Sequence, residues 1–413
     1  MSGLAAEVLV TGMGVVSPVG VGLAAFHEGQ LAGRSAIGAI THYDPDGDAV
    51  RIAGQVRLPD ELSLPRREAM RTDRCTQLAA AAARLALDDA GLDAEGAADP
   101  ERTGVVIGSG MGGQGTAEEN YRNFFRAGAE ALRARAIPMA MINDAASWLA
   151  IRHGFTGPCA AVATACASGA DAIVTGCQMI ACGEADVVLA GGTEAPVVRA
   201  IVAGFAKLGA LSPRNDEPHR ASRPFGKDRD GFVIAEGAAV LVLESAAHAR
   251  ARGARSHARL AGYGRSADAH HVTMPHPEGA GAARAITAAL RSAGASPRDV
   301  GLVNAHGTGT AQGDLAEALA LRGSLGAAAE QVPVTATKSL IGHSLGAAGA
   351  IEAVATVQAL ASGLVPPTAN LDEPDPEIGL DVVSGAPRPV SAALALSNSF
   401  AFGGHNVVLA FAR

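Results

Sequence analysis

The chain has 413 residues, 48% hydrophobic and 3% aromatic, and its 33 basic against 41 acidic side chains give a net charge of −8. The hydrophobic share argues against disorder, the acidic balance gives no electrostatic footprint for nucleic acid, and the scarcity of aromatics argues against a base-stacking platform. No apolar run reaches the ~18 residues of a transmembrane helix, so neither a membrane nor nucleic acid is expected as a partner.

The opening MSGLAAEVLVTGMGVVSP has no basic n-region and no separate apolar h-region, so it does not read as a signal peptide. EVLVTG (7–12) predicts a first strand, and DRCTQLAAAAARLALDDAGL (73–92) a helix with Asp73 as N-cap and Gly91 near its end. TGVVIGSG (103–110) reads as a strand running into a glycine loop, and AAVATA (160–165) as a buried strand. SGADAIVTGCQMIACG (168–183) reads as a helix and ADVVLAGG (185–192) as the next strand. GAAVLVLE (237–244) and SHARLAGYG (256–264) are strands around a polar break, AAHARARGAR (246–255), which is the best internal boundary. Beyond it the pattern predicts a helix (280–294), a strand (300–306), a helix (313–324), a strand (332–337), a helix (345–362) and two closing strands. Such alternation predicts an α/β protein with mainly parallel sheets covered by helices. The length suits roughly two or three domains.

Five cysteines with no C-x-x-C pair suit reduced thiols in a cytoplasmic protein rather than a disulfide framework or a zinc site. Three stretches could carry chemistry. In the glycine loop GSGMGGQG, Gly108, Gly110 and Gly113 satisfy G-x-G-x-x-G, but no acidic residue ends a second strand about 20 residues on, so a tight strand-to-helix turn is the better reading than a dinucleotide site. GHSLG (342–346) has the G-x-S-x-G spacing of a hydrolase nucleophile, Ser344, with Asp372, Asp375 or Asp381 and then His405 downstream; yet no β-branched strand runs into the serine, which reads better as a helix-start hydroxyl. In VATACASGADAI (162–173), Cys166 sits where a strand hands over to a helix, a seat whose free N–H groups favour thiolate and can hold an oxyanion. His306 in NAHGTGTAQGD, and Lys338 and His343 in TKSLIGHSLGAAG, sit on two further strand-end loops that converge on ligands in α/β sheets.

These motifs make the chain resemble a condensing enzyme, a β-ketoacyl-acyl-carrier-protein synthase of the type II, elongating kind. ATACASG, NAHGTGT, TKSLIGHSLGAAG, RPFGKDRDGFVIAEGAAVLVLE (223–244) and NSFAFGGHN (398–406) are co-linear with the family pattern from Val8 to the C-terminus. The resemblance implies a thiolase fold: two similar halves in a five-layered α-β-α-β-α arrangement, here 1–253 with the cysteine and 254–413 with the histidines and lysine. It implies that Cys166 takes the acyl chain, that His306 and His343 assist decarboxylation of malonyl carrier protein, and that Lys338 orients the site, paired with Glu352. Backbone N–H groups of Cys166 and Phe402 would form the oxyanion hole, and Phe402 would gate the acyl pocket. Thr308 and Thr310 would contact the pantetheine arm. Phe400, Phe205 and Met111 would line the substrate site, Met111 reaching in from a dimer partner.

The resemblance implies no metal, nucleotide or flavin; substrates arrive on acyl carrier protein. It also implies a dimer, either of two copies or with a chain-length-factor-like paralogue. Arg66, Arg67, Arg71 and Arg74, with Lys207 and Arg214, are the basic groups expected to dock an acidic carrier protein. The chain lacks the C-terminal cysteine of a degradative thiolase, and Cys166 itself argues against a non-catalytic carrier-binding subunit. Ala401 stands where the family loop has glycine; if that position needs φ > 0, a β-carbon stiffens the gate. Ala401 and Met111 together tilt the reading from fatty acid elongation toward polyketide synthesis.

Overall fold

The structure, a computed structural model, describes residues 6–92 and 98–413; the first five residues of the N-terminal reading lie outside that range. The run VLVTGMGVVS forms β1 (Val8–Ser17), longer than predicted. Its glycines let a helix lie against it: a Cβ at Gly12 would fall 2.3 Å from the Ala86 carbonyl oxygen, and one at Gly14 2.0 Å from that of Ala82. That helix, α1 (Arg74–Ala90), starts where Asp73 accepts the Cys75 N–H and stops at Gly91, whose φ of 65° is left-handed. Alanine on the helix and glycine on the strand thus bring two backbones together.

The other main elements of the first half are β2 (Thr103–Gly108), α2 (Gln114–Ala127), β3 (Cys159–Val162), α3 (Ser168–Ala181), β4 (Val187–Glu194) and β5 (Gly237–Ser245). The main elements of the second half are β6 (Ala258–Ala267), α4 (Ala280–Ala293), β7 (Val300–Asn304), α5 (Ala311–Leu325), β8 (Val334–Thr335), α6 (Ala348–Ser362), β9 (Leu394–Ala401) and β10 (His405–Ala412). The strand orders are β3-β2-β4-β5-β1 and β8-β7-β9-β10-β6. Each half therefore runs third, second, fourth, fifth, first, a repeat carried by topology that no sequence repeat announces. β1 pairs antiparallel with β6 through Val8–Val10, joining the two sheets edge to edge. α1 covers one outer face and α4 and α5 the other, while α3 and α6 pack on each other between the sheets. This is the five-layered thiolase fold.

Several expectations need correction. The sheet is mixed: β2 is parallel to β3 and β4, but β4–β5, β5–β1 and β9–β10 are antiparallel. β9 and β10 form a hairpin, which needs no crossover helix. The AAVATA strand is an edge strand, not a buried one, and Cys159 is exposed. β8 keeps only two residues of the six expected. The polar break contains a helix, Ala246–Ala251, whose first turn is capped by Ser245. Leu345–Ser362, contrary to expectation, is long and apolar enough on average to cross a membrane, but 83% of it is buried as the central layer.

Candidate active site

Between β3 and α3 the chain makes one tight turn. Ala165 takes φ of 49°, unusual for a residue with a β-carbon, and Cys166 follows it in the opening turn of the helix, 8% exposed. The backbone N–H groups of Phe402 and of Cys166 itself favour the charged form of the sulfur. The sharpened thiolate expected from the helix start is not the resting state. Burial pushes the thiol up to about 11, outweighing the Lys338 charge and the two N–H donors that pull it down. Alkylation of Cys166 by iodoacetamide should therefore keep rising with pH beyond pH ~8.5, where an ordinary thiol levels off; a plateau below that pH would contradict the burial argument.

The second half supplies the other groups. β7 delivers His306, and its backbone is held by Glu317 on α5, whose carboxylate accepts from the N–H groups of His306 and Gly307, both at 2.8 Å, and from Asn398 Nδ2 at 3.0 Å. Lys338 is 1% exposed. Its Nζ donates to His306 O at 2.6 Å, lies 3.2 Å from His306 Nδ1 and pairs with Glu352. A protonated amine has hydrogens and no lone pair, so Nδ1 must accept; the proton of neutral His306 then sits on Nε2. His343 is pinned by its backbone, donating to Val233 O at 2.7 Å and accepting from Ala235 N at 2.9 Å. Its ring stands edge-on to His306, centroids 5.3 Å apart at 87°, and to Phe232 at 5.2 Å. Burial, reinforced by the Lys338 charge, holds both imidazoles well below their usual range, so both are neutral. Burial also pushes Glu352 up to about 7, against the pull of Lys338.

Cys166, His306 and His343 line one cavity of about 690 Å³, together with Thr308, Thr310, Phe205, Phe400 and Phe402. The threonine hydroxyls are 2.9 Å apart. Phe402 faces Phe205 at 6.4 Å and Phe400 faces His306 at 6.1 Å. Lys338 and Glu352 are not on that wall but behind it, both 1% exposed. Met111 does not line that cavity; within its own chain it packs against the apolar cluster that holds Cys166 and Leu345.

Ala401 has φ of −121°, extended backbone open to any residue, so its β-carbon does not stiffen the gate; the left-handed positions are Gly403 and Gly404. Ser344 is fully buried and its hydroxyl finds no hydrogen-bond partner, neither a base nor a helix end, so no triad exists around it. The glycine loop after β2 is filled from inside: the Glu194 carboxylate accepts from Gly110 N at 2.6 Å, Met111 N at 3.2 Å and Ser109 Oγ at 2.8 Å, where a phosphate would have to sit. Glu194, Glu317 and Asn398 were not singled out from sequence. Glu194 alone stands out as a charged group at the end of an apolar strand.

Among the basic residues, Arg66, Arg67, Arg71 and Lys207 are exposed, and Lys207 adjoins Leu208 on the cavity rim. Arg74 is not available for docking. It clamps Glu236, which is fully buried, through Nε at 2.7 Å and reaches the Val56 carbonyl at 2.9 Å. Arg214 is likewise held, by Asp230 at 2.9 Å and Asp228 at 3.3 Å. Arg74→Ala strands a buried carboxylate and should cost about 3 kcal/mol in urea unfolding while leaving KM for carrier protein unchanged; a raised KM at unchanged stability would restore the docking role.

The beta-ketoacyl synthase N-terminal domain model matches residues 5–249, and the C-terminal domain model matches residues 257–372. Two curated relatives are 44% identical: 3-oxoacyl-[acyl-carrier-protein] synthase 2 of a Synechocystis strain, over 98% of both chains, and its namesake from Vibrio cholerae, over 98% of this chain and 99% of the relative. A beta-ketoacyl synthase structure from Burkholderia phymatum superposes with a TM-score of 0.91 at 36% identity, covering 99% of each chain. A type II polyketide ketosynthase, solved in complex with its acyl-carrier protein and bound to a hexaketide, superposes with the same score at 34% identity over 98% of this chain and 99% of that one.

Proposed function

This chain belongs to the beta-ketoacyl synthase family, and we propose that its cavity joins an acyl group held on Cys166 to malonyl-acyl carrier protein with loss of carbon dioxide. In the first half-reaction the Cys166 sulfur attacks the thioester carbonyl of an acyl carrier protein. The N–H groups of Cys166 and Phe402, which favour charge at the sulfur, receive the oxyanion as it forms. The pantetheine thiol leaves with the proton that the cysteine gives up. Splitting the reaction at a covalent acyl-cysteine replaces one hard step by two easier ones.

In the second half-reaction malonyl carrier protein loses carbon dioxide, and the electron pair of the broken bond becomes an enolate. The His306 Nε2–H, set by Lys338, and the facing His343 ring stabilise the enolate oxygen. The enolate carbon attacks the acyl-cysteine, the carbon–carbon bond forms, and the cysteine sulfur leaves and takes up a proton. A neutral imidazole donor suits this step, because it stabilises the enolate without protonating its carbon. Thr308 and Thr310 offer hydroxyls to the pantetheine arm. No resident cofactor enters any step.

The observation that carries this reading is that Lys338, behind the wall, contacts His306, which lines one cavity with Cys166. The direct test is to supply purified protein with acyl and malonyl carrier proteins and to look for β-ketoacyl carrier protein by mass. Product formation supports the proposal, and substrate thioester hydrolysis alone would sink it.

The acidic partner is acyl carrier protein, docked on the exposed arginines of 66–71 and on Lys207. Arg67→Glu combined with Arg71→Glu should raise KM for carrier protein roughly tenfold while sparing small thioester mimics, since rim charges act chiefly on encounter. An equal loss with both substrates would remove that surface. The unpaired edge of β3 is where a second subunit, a copy or a paralogue, would add a strand. Five free cysteines suit a cytoplasmic setting. The 44% identity to synthases named 3-oxoacyl-[acyl-carrier-protein] synthase 2 favours fatty acid elongation. The structural likeness to a type II polyketide ketosynthase keeps that pathway as the second reading.

A further inference from the structure

The turn that carries Cys166 has a twin. Thr164-Ala165-Cys166 opens α3, and Ser344-Leu345-Gly346 opens α6. Ala165 and Leu345 have φ of 49° and 46°, and the two turns pack against each other. Gly346 thus occupies in the second half the place that Cys166 occupies in the first. The backbone N–H of Gly346 is not idle: at 3.0 Å it donates to Glu194 Oε2, the last residue of β4.

Glu194 is fully buried and faces four donors. Oε2 accepts from Gly346 N and, at 2.6 Å, from Gly110 N; Oε1 accepts from Ser109 Oγ at 2.8 Å and Met111 N at 3.2 Å. The fit is close: a Cβ at Gly346 would lie 2.4 Å from Oε2 and one at Gly110 3.0 Å. One carboxylate therefore ties a loop of the first half to a turn of the second. Both tied segments present apolar side chains, Met111 and Leu345, to the cluster that contains Cys166.

We infer that Glu194 is a positioning residue that fixes the spacing between two apolar walls beside Cys166, Leu345 on the cavity and Met111 packed against the same cluster, and that it thereby sets which acyl chains Cys166 accepts. This rests on the acyl-transfer role proposed for Cys166. Glu194 touches neither sulfur nor substrate; it acts through two backbones. Both of its oxygens accept, so an amide cannot replace it: Glu194→Gln turns an N–H group against at least one donor and releases one wall. Ser109→Ala removes one of the four donors to Glu194, together with the acceptor of the Gly112 N–H, and is the milder variant.

The test measures Cys166 acylation by mass for a graded series of short to long acyl thioesters, alongside carbon dioxide release from malonyl carrier protein. For Glu194→Gln the ratio of long-chain to short-chain loading should rise about tenfold, the scale on which apolar pockets discriminate added methylenes. Ser109→Ala should shift the ratio in the same direction by less, with carbon dioxide release unchanged, because His306 and His343 are held by other groups. A uniform fall at every chain length, or an unchanged ratio, overturns the inference. If Glu194→Gln does not fold, the Ser109→Ala ratio decides. If the wild-type protein loads no thioester, the acyl-transfer reading fails first, and this inference with it.

Discussion

Cys166→Ala should abolish the acyl-enzyme and lower condensation by roughly 10⁴-fold or more, the scale of loss when a catalytic nucleophile is removed. Cys166→Ser should lose nearly as much. An alcohol is a poorer nucleophile than a thiol, and the burial that holds this thiol up at about 11 would hold a serine hydroxyl protonated more firmly still. Neither variant disturbs the second half, where Lys338, His306 and Glu352 hold one another. Decarboxylation of malonyl carrier protein should therefore survive in both. The comparison is made by following carbon dioxide release and β-ketoacyl product on the same samples. Loss of both together would mean that Cys166 shapes the site rather than taking the acyl group.

The second large effect belongs to Lys338. Lys338→Met keeps the bulk of the stem but removes the donor that fixes the His306 proton on Nε2 and the cation paired with buried Glu352. Loss of a preorganised donor at a developing oxyanion costs about 10²–10³-fold, and decarboxylation should fall by that amount. Unfolding should become easier by about 3 kcal/mol, because one partner of a buried pair is left behind. The two losses can be separated. In the double variant Lys338→Met, Glu352→Gln the stranded charge is gone, so stability should return while decarboxylation stays low. Recovery of both would make Lys338 a structural residue only.

Part of this was legible in the sequence because local chemistry and global fold agree there. A cysteine at a strand-to-helix hand-over, two histidines on strand-end loops and a lysine five residues before one of them are local signals, and the fold brings them to one cavity. The boundaries of α1 were legible from Asp73 and Gly91, whose side chain and φ do the capping expected of them. The illegible features depend on who meets whom across the fold. Arg74 reads like its exposed neighbours Arg67 and Arg71, and only the arrival of Glu236 from 162 positions away buries it. Glu194 reads as one acidic residue at the end of an apolar strand; that it fills the glycine loop follows from sheet order. Nor can a sequence show the φ of Ala401, which is set by the β9–β10 hairpin and proves unremarkable.

The thiol's high resting pKa also changes the picture of its activation. Helix start and N–H donors do not by themselves generate a thiolate in so dry a seat. They are placed instead to receive charge when it appears on the attacked carbonyl. Neutral imidazoles beside a buried ammonium follow the same logic, since burial, reinforced by the cation, suppresses their protonation and leaves them as donors.

The most direct measurement is the mass of the protein and of its cysteine-bearing peptides after incubation with acyl carrier protein. The expected result is a single acyl increment on Cys166, lost in Cys166→Ala. Acylation of the exposed Cys159 or Cys182, or of Ser344, with Cys166 left bare would contradict it.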